Sequence, residues 1–157
     1  MALIDLMRIS NLFGAELPPA FLGAFVSKSG AQSIVTATPT VLIWQTEAYD
    51  VGDWFASSGD SVFTVPAGVG RVRLSASVNW DGTVGTFRTI TFLKNGSSAL
   101  GLPASALPPV SVFQSLVSPI IEVVPGDTLS SSVSHDTGVN LDVLAGDTTF
   151  FSVEAVR

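Results

Sequence analysis

The chain has no cysteine, a single histidine and few charges. Each scarcity removes a class of function. Without cysteine there is no disulfide, so stability must come from packing or from association with other chains. With one histidine and no cysteine the preferred zinc ligands are missing, so a zinc centre is excluded. Charged residues make up only 13% of the sequence, about half the usual share of roughly 25%. The seven basic residues are scattered, and only Arg71 and Arg73 lie close together. With a net charge of −6, nucleic acid is excluded as a partner, because phosphate binding needs clustered Lys and Arg. No Gly-Lys-Ser or Gly-Lys-Thr occurs, so the glycines read as turns rather than as a phosphate loop.

What is present is apolar and β-forming. Of 157 residues, 46% are hydrophobic, enough to fill a sizeable core. Gly, Ser, Thr and Val are abundant. β-Branched side chains suit a pleated surface and lose rotamer freedom in a helix. So few charges on a free surface would threaten solubility, which suggests that much surface is covered by other subunits.

Residues 1–35 read as an apolar N-terminal arm and linker, extended or partly helical. Leu3, Ile4, Leu6, Met7, Leu12, Phe13, Phe21, Leu22 and Phe25 are its candidate anchoring side chains. Asp5, Arg8, Asn11 and Glu16 break the run that a secretory signal needs. Pro18 and Pro19 interrupt a membrane span. An arm that docks on another protein remains, with an arm folded back on its own domain as the alternative. The segment 27–38, rich in Ser, Thr, Gly and Ala, reads as a linker or a loosely held first strand.

The domain is expected over 36–157. Strand signals fall at 40–46, 61–65, 71–80, 87–94, 111–117, 120–124, 128–134 and 148–156. The clearest is 71–80, where Val72, Leu74, Ala76, Val78 and Trp80 alternate with Arg71, Arg73, Ser75, Ser77 and Asn79. One apolar and one polar face is the mark of a half-buried antiparallel strand. Pro66-Ala67-Gly68, Asp81-Gly82, Asn95-Gly96 and Pro125-Gly126-Asp127 supply turns. Residues 99–110, with three prolines, read as a wandering loop. The run 148–156 is apolar on nearly both faces, which places it centrally. No stretch shows sustained helical period. Short strands at this spacing imply an all-β antiparallel sandwich or barrel.

The order of four segments is similar to the jelly-roll domain of the complement-one-q and tumour-necrosis-factor superfamily. They are FTVPAGVGRVRLSASVNW (63–80), TFLKNGS (91–97), PIIEVVPGDTLSSSV (119–133) and FFSVEAV (150–156). The resemblance covers about 40–157. It departs from the family after the Val-Pro turn, where aromatic residues are replaced by Val69, Val72 and Leu74, and no collagen-like stalk precedes the domain. The resemblance implies a jelly-roll β-sandwich that forms homotrimers. The arm, the low charge and the lack of cysteine also resemble bacteriophage virion proteins that use this fold as capsid decoration, head spike or fibre components. Residues 1–30 would then attach the trimer to the capsid or another virion protein.

Sites of chemistry are sparse. His135 lies in a Ser-, Asp- and Gly-rich stretch and reads as an exposed loop residue rather than as a triad member. Asp50 and Asp53 lie near Trp44, Tyr49 and Trp54. Acids beside aromatic rings suit sugar binding, with a host-surface glycan as the partner, or sugar cleavage. The plain alternative is a surface loop with partly buried rings. Asp136, Asp142 and Asp147 lack the spacing of a calcium loop. The expectation is a non-enzymatic virion protein with no cofactor, and alternatively a receptor- or carbohydrate-binding module at a spike or fibre tip.

Overall fold

A computed structural model describes residues 21–82, 87–98, 104–106 and 113–156. Every regular element among them is a β-strand. In chain order they are β1 (Gly23–Lys28), β2 (Gln32–Ile34), β3 (Thr40–Val41), β4 (Thr46–Val51), β5 (Val62–Thr64), β6 (Arg71–Asn79) and β7 (Arg88–Lys94). There follow β8 (Ser97–Ser98), β9 (Ala104–Ala106), β10 (Phe113–Val117), β11 (Ile121–Glu122), β12 (Thr128–His135), β13 (Leu141–Val143) and β14 (Gly146–Ala155). Two six-stranded antiparallel sheets face each other. The first runs β10-β6-β14-β1-β4, with β11 continuing the β10 edge along β6. The second runs β3-β12-β7-β8, with β5 also on β12 and β9 also on β7. A small β13–β2 ribbon closes one end. Chain neighbours repeatedly switch sheets, as in a jelly roll.

Alternation places the core. On β6 the expected row Val72, Leu74, Ala76 and Val78, with Trp80 just beyond, is buried to within 1%. β14 is central, between β6 and β1, and sends Phe151 and Val153 inward. Phe151 is the hub between the sheets. Its ring stacks on Phe63 at 4.7 Å and meets Trp44 and Phe92 at 5.9 Å each.

The turn chemistry is met as well. Asn95 (φ 52°) and Gly96 (φ 73°) both take positive φ between β7 and β8, as a tight two-residue hairpin requires. Gly126 (φ 88°) follows Pro125 in a turn closed by Asp127 N donating to Val124 O, the Pro-Gly order of a type II turn.

Three expectations are corrected. The domain begins before residue 36, because β1 lies between β14 and β4 and gives Ala24 and Val26 to the core. Phe21, Leu22 and Phe25 therefore belong to the sandwich and not to a free arm, since Ala155 N donates to Leu22 O and fixes this end to the last strand. Leu3, Ile4, Leu6, Met7, Leu12 and Phe13 lie outside the described residues. Within the stretch 99–110, β9 pairs with β7, so part of the expected loop is strand. His135 ends β12 and is fully buried instead of sitting in an exposed loop.

Candidate assembly surface

The outward residues of the first sheet are Gly23, Phe25 and Ser27 on β1, Phe150, Ser152 and Glu154 on β14, and Ser75 and Ser77 on β6. Antiparallel register lines them up in rows. One row crosses the sheet as Tyr49, Phe25, Ser152, Ser75, Val117. The next runs Ser27, Phe150, Ser77, Ser115.

At the β4 side these rows form an aromatic ridge. Phe21 meets Tyr49 edge-on at 5.7 Å. Tyr49 lies 6.1 Å from Phe25, and Phe25 stacks on Phe150 at 5.0 Å. Phe21 and Tyr49 remain 39% and 42% exposed. Gly23 makes the ridge possible, because a Cβ there would strike the Val153 carbonyl oxygen and come within 2.8 Å of the Phe21 ring.

The middle of the face is a trough of small hydroxyls. Ser115 Oγ donates to Ser77 Oγ at 3.1 Å, and Ser75 and Ser152 face each other. Beyond the trough stands a second apolar ridge. It is built on β10 and β11, the far edge of the sheet, where Phe113 and Val117 are 50% and 60% exposed. Ile120 and Val124 extend it. Charge enters where Arg73 faces Glu154 in register, on the same two strands, two residues along from the Ser75–Ser152 pair. The surface is therefore two unlike apolar ridges flanking a trough of serines that ends at the Arg73–Glu154 pair.

The aromatic and acidic stretch 44–54 is not brought to one open surface. Trp44 and Trp54 are in the core. Asp50 closes the following turn, its Oδ1 accepting from Trp54 N at 3.0 Å and its Oδ2 from Phe55 N at 2.8 Å. Asp53 takes positive φ in that turn, and Trp54 Nε1 donates to Val51 O. Only Tyr49 of the five shows its ring, and it joins the ridge. Sequence order alone does not reveal this surface, since its members come from β1, β4, β6, β10 and β14. A trace was legible: Phe150 and Phe151 in succession put one ring on each side of a strand.

Lys28 and Arg88 are buried elsewhere. Lys28 continues the inward row of β1, and its Nζ donates to Ile43 O at 2.7 Å and Gln32 Oε1 at 3.0 Å. Nζ also lies 5.9 Å from the Trp44 ring centre. Burial pulls its pKa down to about 8, since desolvation disfavours the charged form. Arg88 is fully buried at the other end, where its guanidinium lies over Trp80 and Nη2 donates to Gly82 O. Burial lowers its pKa also. Asp136 is held by Phe87 N. Among the described residues Asp136, Asp142 and Asp147 do not gather into a cluster of three metal-ligating side chains.

No family model matches the chain, and no curated protein matches it in sequence. Solved structures do match in shape. Eiger TNF from S. frugiperda superposes with a TM-score of 0.58 at 12% identity, over 87% of this chain and 93% of that one. Murine APRIL superposes with a TM-score of 0.60 at 14% identity, over 87% of this chain and 99% of that one. At such identities the likeness speaks to backbone arrangement alone, and the chain has the TNF-like jelly-roll fold.

Proposed function

We propose that this chain is a structural, non-catalytic protein of a bacteriophage particle, a homotrimeric jelly roll serving as capsid decoration, head spike or fibre component. The observation that carries the assembly is the pair of apolar ridges on one sheet. Exposed apolar patches of this kind mark interaction sites. The ridges differ in shape and chemistry, so one copy's edge ridge fits another's aromatic face and not its own equivalent. Such a contact is heterologous and forms a closed ring when its rotation closes. The serines of the trough give the edge a seat of small hydroxyls, with the Arg73–Glu154 pair at one end of it.

The particle assignment rests on the low charge, the absent cysteine and the apolar residues that precede β1. The chain enters the fold at Leu22 beside the last strand, so an anchor there would hold the opposite end, with the 36–39 and 136–140 loops, away from the particle. The non-catalytic reading is supported by His135, whose two ring nitrogens are taken up by Ile34 O and Thr137. The glycan reading loses its platform with Trp44 and Trp54 in the core.

Light scattering of the full chain at micromolar concentration tests the assembly. A trimer is expected, and a dissociated, folded monomer is expected for Tyr49→Asp combined with Val117→Asp. A monomeric wild type overturns the proposal. Deleting residues 1–20 should leave the trimer folded but absent from purified particles, and normal incorporation of that deletion overturns the anchor.

A further inference from the structure

β3 ends the second sheet, with β12 on its ladder side. The alternation of backbone partners continues past it. Leu42 N donates to Ser131 O at 3.0 Å, and Trp44 N donates to Asp60 O at 2.9 Å while Trp44 O accepts from Gly59 N at 2.7 Å. Val41 and Ile43, on either side of Leu42, turn backbone groups the other way, toward the edge, and side chains meet them there. Gln32 Nε2 donates to Val41 O at 3.0 Å, and Gln32 Oε1 accepts from Ile43 N at 3.0 Å. Lys28 Nζ donates to Ile43 O at 2.7 Å and to the same Gln32 Oε1 at 3.0 Å. A primary amide offers a donor and an acceptor as a peptide group does, so Gln32 stands where the next strand of a ladder would stand. The Lys28 ammonium takes the following place along.

The edge covered in this way is built to pair. The run 40–44 is Thr-Val-Leu-Ile-Trp, mostly β-branched and aromatic, and residues 29–46 hold no Asp, Glu, Lys or Arg. Val41 and Ile43 are 37% and 40% exposed. An uncharged, apolar edge strand is a template for another chain. The β4 edge of the first sheet is blunted by its own residues, since it carries Glu47 and Asp50 and its register with β1 shifts between Phe25 and Val26. β3 has no charge of its own. Its cover comes from elsewhere in the chain: the Gln32 backbone pairs with Val143 in the β13–β2 ribbon, and Lys28 ends β1.

We propose that Gln32 and Lys28 guard a latent self-pairing edge, holding the backbone groups through which residues 40–44 of one copy would pair with the same run of a second copy. The run suits itself as a partner. Antiparallel pairing centred on Leu42 sets Val41 opposite Ile43 of the other copy, apolar against apolar, with no charge on either side. Such a contact is twofold, the same patch on both copies, and it uses the second sheet, so it is separate from the ridges of the first. With the guard in place the contact is costly. An incoming strand must displace the Gln32 amide and take Ile43 O from the Lys28 ammonium, which is only 2% exposed, and a buried charge stripped of its partner is strongly destabilising.

Light scattering of the full-length chain over days at graded concentrations tests this, beside circular dichroism to confirm folding. Gln32→Ala is expected to keep the wild-type spectrum and to grow beyond the wild-type species, faster at higher concentration. Adding Ile43→Lys should hold it at wild-type size, because two copies would then bring a cation to the same seam. A folded Gln32→Ala that stays at wild-type size overturns the proposal, as does equal growth in the double variant, which would mark general unfolding. Gln32→Asn, which draws the amide back by one carbon and keeps its polarity, serves in the same two comparisons if alanine disturbs the fold. Hydrogen exchange of the wild type gives a reading that needs no variant. The Ile43 amide is expected to be protected like the Leu42 amide beside it, and exchange of Ile43 at the rate of a free amide overturns the guard.

Discussion

The Asn95 side-chain amide donates to the Asp127 carboxylate at 2.8 Å, bridging the hairpin after β7 and the turn before β12. The bond is one of a set. Lys94 Nζ reaches the other carboxylate oxygen at 2.8 Å, and Val124 N donates to the same oxygen at 2.9 Å. Asn95 Oδ1 accepts from Thr128 N at 2.8 Å. Two turns far apart in sequence are thereby clasped at one end of the second sheet. Lys94, then Asn95 and the Val124 amide, hold the Asp127 carboxyl down to about 2 from an ordinary 3.8. A depressed folded pKa means that the stabilisation is present above the unfolded value and is lost as pH falls from about 4 to about 2. Thermal melts across that range should show a wild-type loss that Asp127→Asn lacks, with Asp127→Asn melting several degrees lower at pH 7.

Lys28 predicts the opposite end of the pH scale. Its folded pKa is about 8 against 10.5 for a free lysine, so between those values the unfolded chain binds the extra proton. Stability from this group therefore rises with pH from about 8 to about 10.5. Urea unfolding of Lys28→Met, which keeps the stem and removes the charge, should lack that rise.

Phe151 should be the costliest truncation in the core. It contacts Phe63, Trp44 and Phe92 with no solvent exposure. Phe151→Ala is expected to lose about 3–5 kcal/mol in denaturant unfolding, and Phe151→Leu distinctly less.

Gly23 should tolerate no side chain. Gly23→Val forces a Cβ against the Val153 carbonyl and the Phe21 ring, and overpacking of this kind costs roughly 1–3 kcal/mol. Because Phe21 belongs to the aromatic ridge, the same variant should also weaken self-association, read by sedimentation at graded concentrations.

Much of the sandwich was legible because strand period is a local property. The alternation on β6 named its buried row correctly, and Asn95-Gly96 and Pro125-Gly126 named their turns, since positive φ restricts residue choice at the position itself. β1 was misread as an arm and linker: Gly23 and Ser27 weaken its β signal, and only pairing with β14 and β4 on either side makes it a strand. Trp44, Trp54 and Asp50 looked like a ligand platform because sequence adjacency cannot say that two indoles turn inward while the carboxylate caps a turn.

By itself the sequence determined that the chain is all-β, free of disulfides, poor in charge and built around strands with one apolar face. Those properties follow from residue type and period two. The tertiary structure alone decided which apolar residues remain outside. Phe150 and Phe151 are chemically identical neighbours, yet one fills the core and the other stacks on Phe25 at the surface. The pleat sends them to opposite faces, and the packing of the second sheet covers only one of those faces. The same reason puts His135 among Trp80, Arg88 and Thr137: burial is a property of what crosses over a residue, and that is set by register between strands distant in the chain.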